Sequence, residues 1–99
     1  MSHAVAQQAE VIEKEDVASL HFPAVDVLSD NEDKKIRAAS MQRAILLGNN
    51  QKRKVKIIFE DDTSVKKVET TIWAVTEKSI LLKGGVFIPI RRIHSISAY

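Results

Sequence analysis

Two adjacent glycines, Gly84 and Gly85, set between SILLK and VFIPI, constrain this chain more than any other feature. Glycine takes positive φ without steric cost, and two in a row suit the two-residue turn whose twist matches that of paired strands. A β-hairpin is therefore predicted, with Lys83 opposite Val86, Leu82 opposite Phe87 and Leu81 opposite Ile88. A tight turn at Glu77-Lys78 then places Val75 opposite Ile80, Ala74 opposite Leu81 and Trp73 opposite Leu82. Another at Asp62-Thr63 sets Ile57 against Val68, Lys56 against Glu69 and Val55 against Thr70. The stretch from Val65 to Ile96 thus reads as consecutive strands, and the rest of the chain must be arranged around it.

Side chains alternate between the two faces of a strand, so these registers imply a definite core. One face collects Val55, Ile57, Phe59, Val68, Thr70, Ile72, Ala74, Leu81, Val86, Ile88 and Ile90. The other begins polar at Lys54, Lys56, Lys67 and Glu69 and turns apolar at Trp73, Val75, Ile80, Leu82 and Phe87. Two devices can cover that second patch. The long strand Val65 to Val75 can bend through a bulge and curl the sheet towards closure, and a helix can lie across Trp73, Leu82 and Phe87. Pro89 cannot donate to a ladder, which suits an edge or bulge, and Arg91-Arg92 marks a short turn before a last strand at Ile93 to Ile96.

That helix is expected from about Asp30 to Leu47. Ser29 with Glu32 fits a capping box, acids crowd the first turn, and Gly48-Asn49-Asn50 supplies a stop. Its apolar faces are Ile36, Ala39, Ser40, Ala44 and Leu47, with Met41 and Ile45 beside them. Residues 1–28 form an acidic segment, mobile or partly helical, with a loose stripe at Val5, Ala9, Ile12 and Val17. Phe22, Val25, Val27 and Leu28 are its expected docking positions. The fold class is mainly β with an N-terminal helix, in which residues 29–99 make a small, strongly bent five-stranded antiparallel barrel capped by one α-helix.

Charge is unevenly distributed: residues 1–33 carry −7 and residues 34–56 carry +8, within a net charge of +2. Ninety-nine residues imply a single folding unit. The absence of cysteine rules out a disulfide framework and suits a reducing cytoplasm. No apolar run reaches the length of a membrane span, and the acidic N-terminus lacks an export pattern.

The order of helix, charged first strand, long second strand, short third strand, glycine hairpin and IPIRRIHSI resembles the Sm-like and SH3-like small β-barrels. In particular it is similar to small bacterial protein inhibitors of the transcription termination factor Rho. The resemblance covers roughly residues 30–99 and implies a bent five-stranded barrel that binds RNA or docks on a protein. It carries over no RNA-contact residue. The Rho inhibitors imply acidic contact residues on the barrel, whereas the strands here are basic.

Chemistry points to binding rather than catalysis. His3, His21 and His94 lack metal-site spacing, Asp61-Asp62 is turn chemistry, and no nucleophile motif is present, so no catalytic residue, metal, cofactor or small-molecule substrate is expected. Lys52, Lys54, Lys56 and Lys67 with Arg91 and Arg92 form a basic stripe suited to phosphates. A solvated, solubilising face is the alternative reading of the same lysines. Trp73 reads as helix-covered packing or, alternatively, as a base-stacking platform. Two functions stay open: a cytoplasmic module binding RNA or an RNA-machinery protein through the basic stripe, and a protein adaptor or homo-oligomer joined through a sheet edge or the Trp73, Leu82 and Phe87 face.

Overall fold

The computed structural model describes residues 9–98 and shows a mainly β protein with one long helix. His3 and Val5 lie outside the described residues, as does the side chain of Leu47. The strands are β1 (Glu10–Val11), β2 (Val55–Glu60), β3 (Val65–Thr70), β4 (Ile72–Val75), β5 (Ser79–Leu82), β6 (Val86–Pro89) and β7 (Ile93–Ala98). The helix α1 spans Asn31–Gln51, and short 3-10 helices occupy Lys14–Ser19 and Ile90–Arg92. The strands form two sheets, β1-β3-β2-β7 and β4-β5-β6, which are not closed into a barrel, where a strongly bent five-stranded barrel was expected. The long strand breaks at Thr71, whose carbonyl leaves the ladder to accept the Lys83 N–H at 2.9 Å.

The β2–β3 hairpin has the expected register throughout, from Val55 opposite Thr70 to Ile58 opposite Lys67. The glycine hairpin does not. Lys83 belongs to the loop, so Leu82 pairs with Val86, Leu81 with Phe87 and Ile80 with Ile88, one residue away from the expected register. Gly84 and Gly85 both take positive φ, at 95° and 86°, and Gly85 N–H closes the turn on the Leu82 carbonyl at 3.0 Å. Ala74 opposite Leu81 and Val75 opposite Ile80 are as expected. An irregularity between Ile72 and Ala74 then puts Ile72, not Trp73, against Leu82.

A one-residue shift exchanges the faces of a strand. Ile80 and Leu82 are consequently wholly buried, and Leu81 moves outward against Phe87. The core combines them with Val55, Ile57, Phe59, Val68, Ile72, Ile88, Ile93 and Ile96, and with Val17, Met41 and Ala44 from outside the sheets.

The helix differs from expectation at both ends and in the face it buries. Asp30, not Ser29, caps it: Asp30 Oδ1 accepts the Glu32 N–H at 2.8 Å. It also runs through Gly48, because that glycine serves a contact and not a stop. A Cβ there would sit 2.4 Å from the Ile72 carbonyl oxygen, so only glycine lets α1 approach β4 so closely. The chain leaves the helix at Lys52, with φ at 54° and its N–H on the Gly48 carbonyl at 3.1 Å. Arg37, Met41, Ala44 and Gly48 are buried, whereas Ile36 and Ala39 are exposed. The helix packs on β4 and β7, not over Trp73 and Phe87, both of which are exposed.

From Ala9 on, the acidic segment packs against the sheets. β1 adds to β3 in parallel, with the Ile12 N–H on the Lys67 carbonyl at 3.0 Å. Val17 is buried in the core, and Phe22 tilts against Phe59 with ring centroids 6.0 Å apart. Val27 and Leu28 are half-buried and Val25 is exposed.

Candidate nucleic-acid interface

The basic segment begins where α1 ends. The left-handed turn at Lys52 swings the chain out of the helix, and Lys52, Arg53 and Lys54 are all exposed before Val55 buries itself in the core. Alternation along β2 then turns Lys56 outward, opposite Glu69 on β3 and Ser97 on β7. The next residue in that phase, Ile58, lies between Lys67 and Ser95 and is itself buried. Lys56 and Lys67 are therefore diagonal neighbours on the outer face of the four-stranded sheet, both half-buried. Glu69, exposed across from Lys56, and Glu60, in phase with Lys56 at the far end of β2, are acids within this face.

Arg91 and Arg92 do not join these lysines. Arg92 is buried and donates from Nη1 to the Val25 carbonyl at 2.6 Å and from Nε to the Glu60 carbonyl at 3.0 Å. Arg91 donates from Nε to the Pro23 carbonyl at 2.9 Å and from Nη2 to the Phe22 carbonyl at 3.3 Å. Both arginines thus satisfy main-chain carbonyls of the linker before α1. This corrects the expectation that they extend the phosphate-facing stripe: a guanidinium that donates to main-chain carbonyls fixes a loop and is turned away from the lysines of β2.

The expected apolar face divides likewise. Trp73 is 49% exposed and Phe87 is 52% exposed, but Leu82 is fully buried and is not part of any surface. Leu81 takes its place beside Phe87.

Three polar pairs escaped sequence reasoning. Asp61 Oδ1 receives the N–H groups of Thr63 and Ser64 at 3.0 and 2.9 Å, the Thr63 hydroxyl at 3.0 Å and the Lys66 ammonium at 3.0 Å. Both residues of the Asp61–Lys66 pair are buried, and Lys66 also donates to the Ser64 hydroxyl at 2.6 Å. Burial pushes the Asp61 carboxyl up, but the Ser64 and Thr63 N–H groups, then Lys66 and the Thr63 hydroxyl, outweigh it and hold the pKa at about 2. Arg37, inward on α1, grips both oxygens of Asp26 at 3.0 and 2.9 Å and reaches the Ile93 carbonyl at 3.0 Å. Burial raises the Asp26 pKa less than Arg37 and the Leu28 N–H lower it, so it lies below the ordinary value. His94, expected on the surface, is 14% exposed at its side chain, with Nε2 2.8 Å from Glu60 Oε1. Phase offered a signal for two of these: Lys66 is in step with Val68 and Thr70, and Arg37 with Met41 and Ala44.

A cleft of about 540 Å³ lies between Asp26, Arg37, Glu77, Lys78 and Arg91, where the two arginines already serve Asp26 and main-chain carbonyls. Among the described residues no three His, Asp or Glu side chains are grouped as a metal site, and no helix is long and apolar enough to cross a membrane. No family model matches the chain, and neither a curated protein nor a solved structure matches it.

Proposed function

We propose that this chain is a non-enzymatic small-barrel module of the bacterial cytoplasm that binds single-stranded RNA through Lys52, Lys54, Lys56 and Lys67. The observation that carries the reading is the exposed run Lys52-Arg53-Lys54 leading into β2, in a stretch from residue 34 to 56 that contains no acid. Cations held at a fixed helix-to-strand junction meet successive phosphates without losing much order of their own, and each contact gains from counterion release. The strand order supports an Sm-like relationship. β7 pairs with β2, β2 with β3, β4 continues β3 beyond Thr71, and β5 and β6 follow, with a 3-10 turn before β7.

The test is a titration of fluorescein-labelled single-stranded RNA with the full chain at several salt concentrations. With four phosphate contacts, the affinity falls about 50-fold between 50 and 200 mM salt, on the single-strand slope of about −0.7 per contact. Lys52→Glu with Lys54→Glu is expected to reduce that fall to about 7-fold, because two contacts are lost, and to leave thermal stability unchanged. Salt-independent binding, or full affinity in the double variant, refutes the reading.

A second reading, a protein adaptor, rests on the exposure of Trp73 and Phe87 beside Leu81 on the three-stranded sheet, whose β6 edge pairs with no further strand among the described residues. A Trp73 emission shift on addition of a partner protein, with no RNA binding, would favour it.

A further inference from the structure

The helix α1 has two sides, and the fold uses one. Arg37, Met41, Ala44 and Gly48 face the sheets, at spacings of four, three and four. Ile36, Ala39, Arg43 and Leu46 are exposed, at spacings of three, four and three, with Ile36 at 57% and Leu46 at 61%. At 100° per residue the two stripes lie about 150° apart round the helix. A three-four repeat of apolar positions is the seam by which one helix packs on another, and here Ile36, Ala39 and Leu46 are apolar while Arg43 is not. An exposed seam on the outside of the fold has no role in holding the fold together.

We infer that this seam docks against the same seam of a second copy, the two α1 helices antiparallel about a two-fold axis near Met41. Two features of the chain select a second copy and this direction. The stripe is symmetric about residue 41, so an antiparallel partner sets Ile36 against Leu46 and Ala39 against Arg43 at both ends. The small Ala39 leaves room for the long Arg43 stem, which can cover apolar surface while its head stays in water. The charges are self-complementary in the same sense: Asp30, Glu32 and Asp33 lie at the start of the helix, and Lys52 and Lys54 follow its end. Antiparallel docking brings each acidic start near the other copy's basic end and opposes the two helix dipoles, whereas parallel docking sets acid against acid. The contact is isologous and therefore closes at two copies. It leaves the outer face of the four-stranded sheet open and places the two basic segments at opposite ends of the paired helices. Lys52 and Lys54 are shared with the RNA-binding reading, but Ile36 and Leu46 are not, so the apolar seam is tested separately from RNA binding.

Sedimentation equilibrium of the full chain from micromolar to millimolar concentration tests it. The expected result is a mass rising from monomer to dimer and no further, with weaker association at high salt. Ile36→Lys with Leu46→Lys should remain monomeric throughout, with unchanged circular dichroism and thermal midpoint, because both side chains are exposed in the monomer. The chain has no cysteine, so direction can be read by oxidation. A mixture of Ala39→Cys and Arg43→Cys chains should cross-link preferentially as the mixed pair. A monomer at millimolar concentration overturns the inference. So does a dimer that survives the double lysine variant, and loss of that dimer on Trp73→Arg would assign it to the three-stranded sheet.

Discussion

Asp61→Asn should destabilise the protein by about 2.5 kcal/mol at neutral pH and by almost nothing near pH 2. The magnitude comes from the carboxyl itself, whose pKa falls from an ordinary 3.8 to about 2 on folding. At about 1.36 kcal/mol per pKa unit, that difference is the preference of the folded state for the ionised form. An acid with a lowered folded-state pKa contributes fully above its unfolded value and loses that contribution as pH falls through its folded value. The stabilisation is therefore complete above about pH 5 and gone below about pH 2. Asparagine keeps an oxygen for the Thr63 and Ser64 N–H groups but leaves the buried Lys66 ammonium without its anion at 3.0 Å. Glu10, 3.7 Å away and exposed, is a poor substitute. Lys66→Met should be milder, at about 1 kcal/mol, because it removes a charge and leaves Asp61 with three donors. Urea unfolding of the three proteins between pH 2 and 7 measures both effects. In a chain of this size 2.5 kcal/mol corresponds to roughly 10 to 20 °C in thermal midpoint. A penalty for Asp61→Asn that stays constant with pH, or a Lys66→Met variant less stable than Asp61→Asn, would refute the assignment.

Gly48→Ala should lower stability by about 1 to 3 kcal/mol in urea despite alanine's better helix propensity, since the new Cβ meets the Ile72 carbonyl at 2.4 Å; a more stable variant would show that α1 can move away from β4. Leu82→Ala should cost about 2 to 5 kcal/mol, and Phe87→Ala under about 1 kcal/mol, because the first is buried and the second is half in water. Comparable losses in thermal unfolding would restore the two-residue glycine turn. Arg92→Lys retains the charge but loses the forked donors to Glu60 and Val25, so stability should fall by about 1 to 3 kcal/mol while RNA affinity of the folded protein holds. Weakened RNA affinity at full stability would return Arg92 to the phosphate-binding stripe.

Local pattern was legible where the two strands of a hairpin meet at a turn fixed by its own side chains. Asp61 receives the Thr63 and Ser64 N–H groups, so the turn at Asp62-Thr63 is set within four residues and the β2–β3 register follows from it. The basic segment was legible too, because four cations on five adjacent positions next to a buried Val55 leave little choice of direction. Long polar side chains were not, because their burial depends on partners distant in sequence. Arg37 reaches an aspartate 11 residues earlier and Arg92 a carbonyl 67 residues earlier. Phase can mark Arg37 as inward, but no period-two or period-3.6 pattern names the partner it meets there, and the same lack hid the burial of Val17 in the core, whereas Phe22 docks as expected. Gly48 was read as a helix stop for a related reason: the carbonyl that requires a glycine belongs to Ile72.

The glycine hairpin shows how a one-residue change of register redistributes a whole face. Gly84 and Gly85 take the positive φ values that the sequence implies, yet the loop contains a third residue. Lys83 does not pair with β6; its N–H bonds the Thr71 carbonyl, beside the Ile72–Leu82 pair, at the point where the long strand breaks between β3 and β4. With the β5–β6 register advanced by one, Leu82 points inward to meet Ile72 and Leu81 turns outward beside Phe87. The irregularity around Trp73 has the same origin, for Ile72 can reach Leu82 only if Trp73 steps out of the pairing. Trp73 and Phe87 remain on the surface because the helix that would have covered them lies on β4 and β7, drawn there by Gly48 against Ile72 and by Arg37 on the Ile93 carbonyl. The break at Thr71, the three-residue loop and the position of α1 are thus one arrangement, and its consequence is that the three-stranded sheet keeps an aromatic outer face that folding alone does not need.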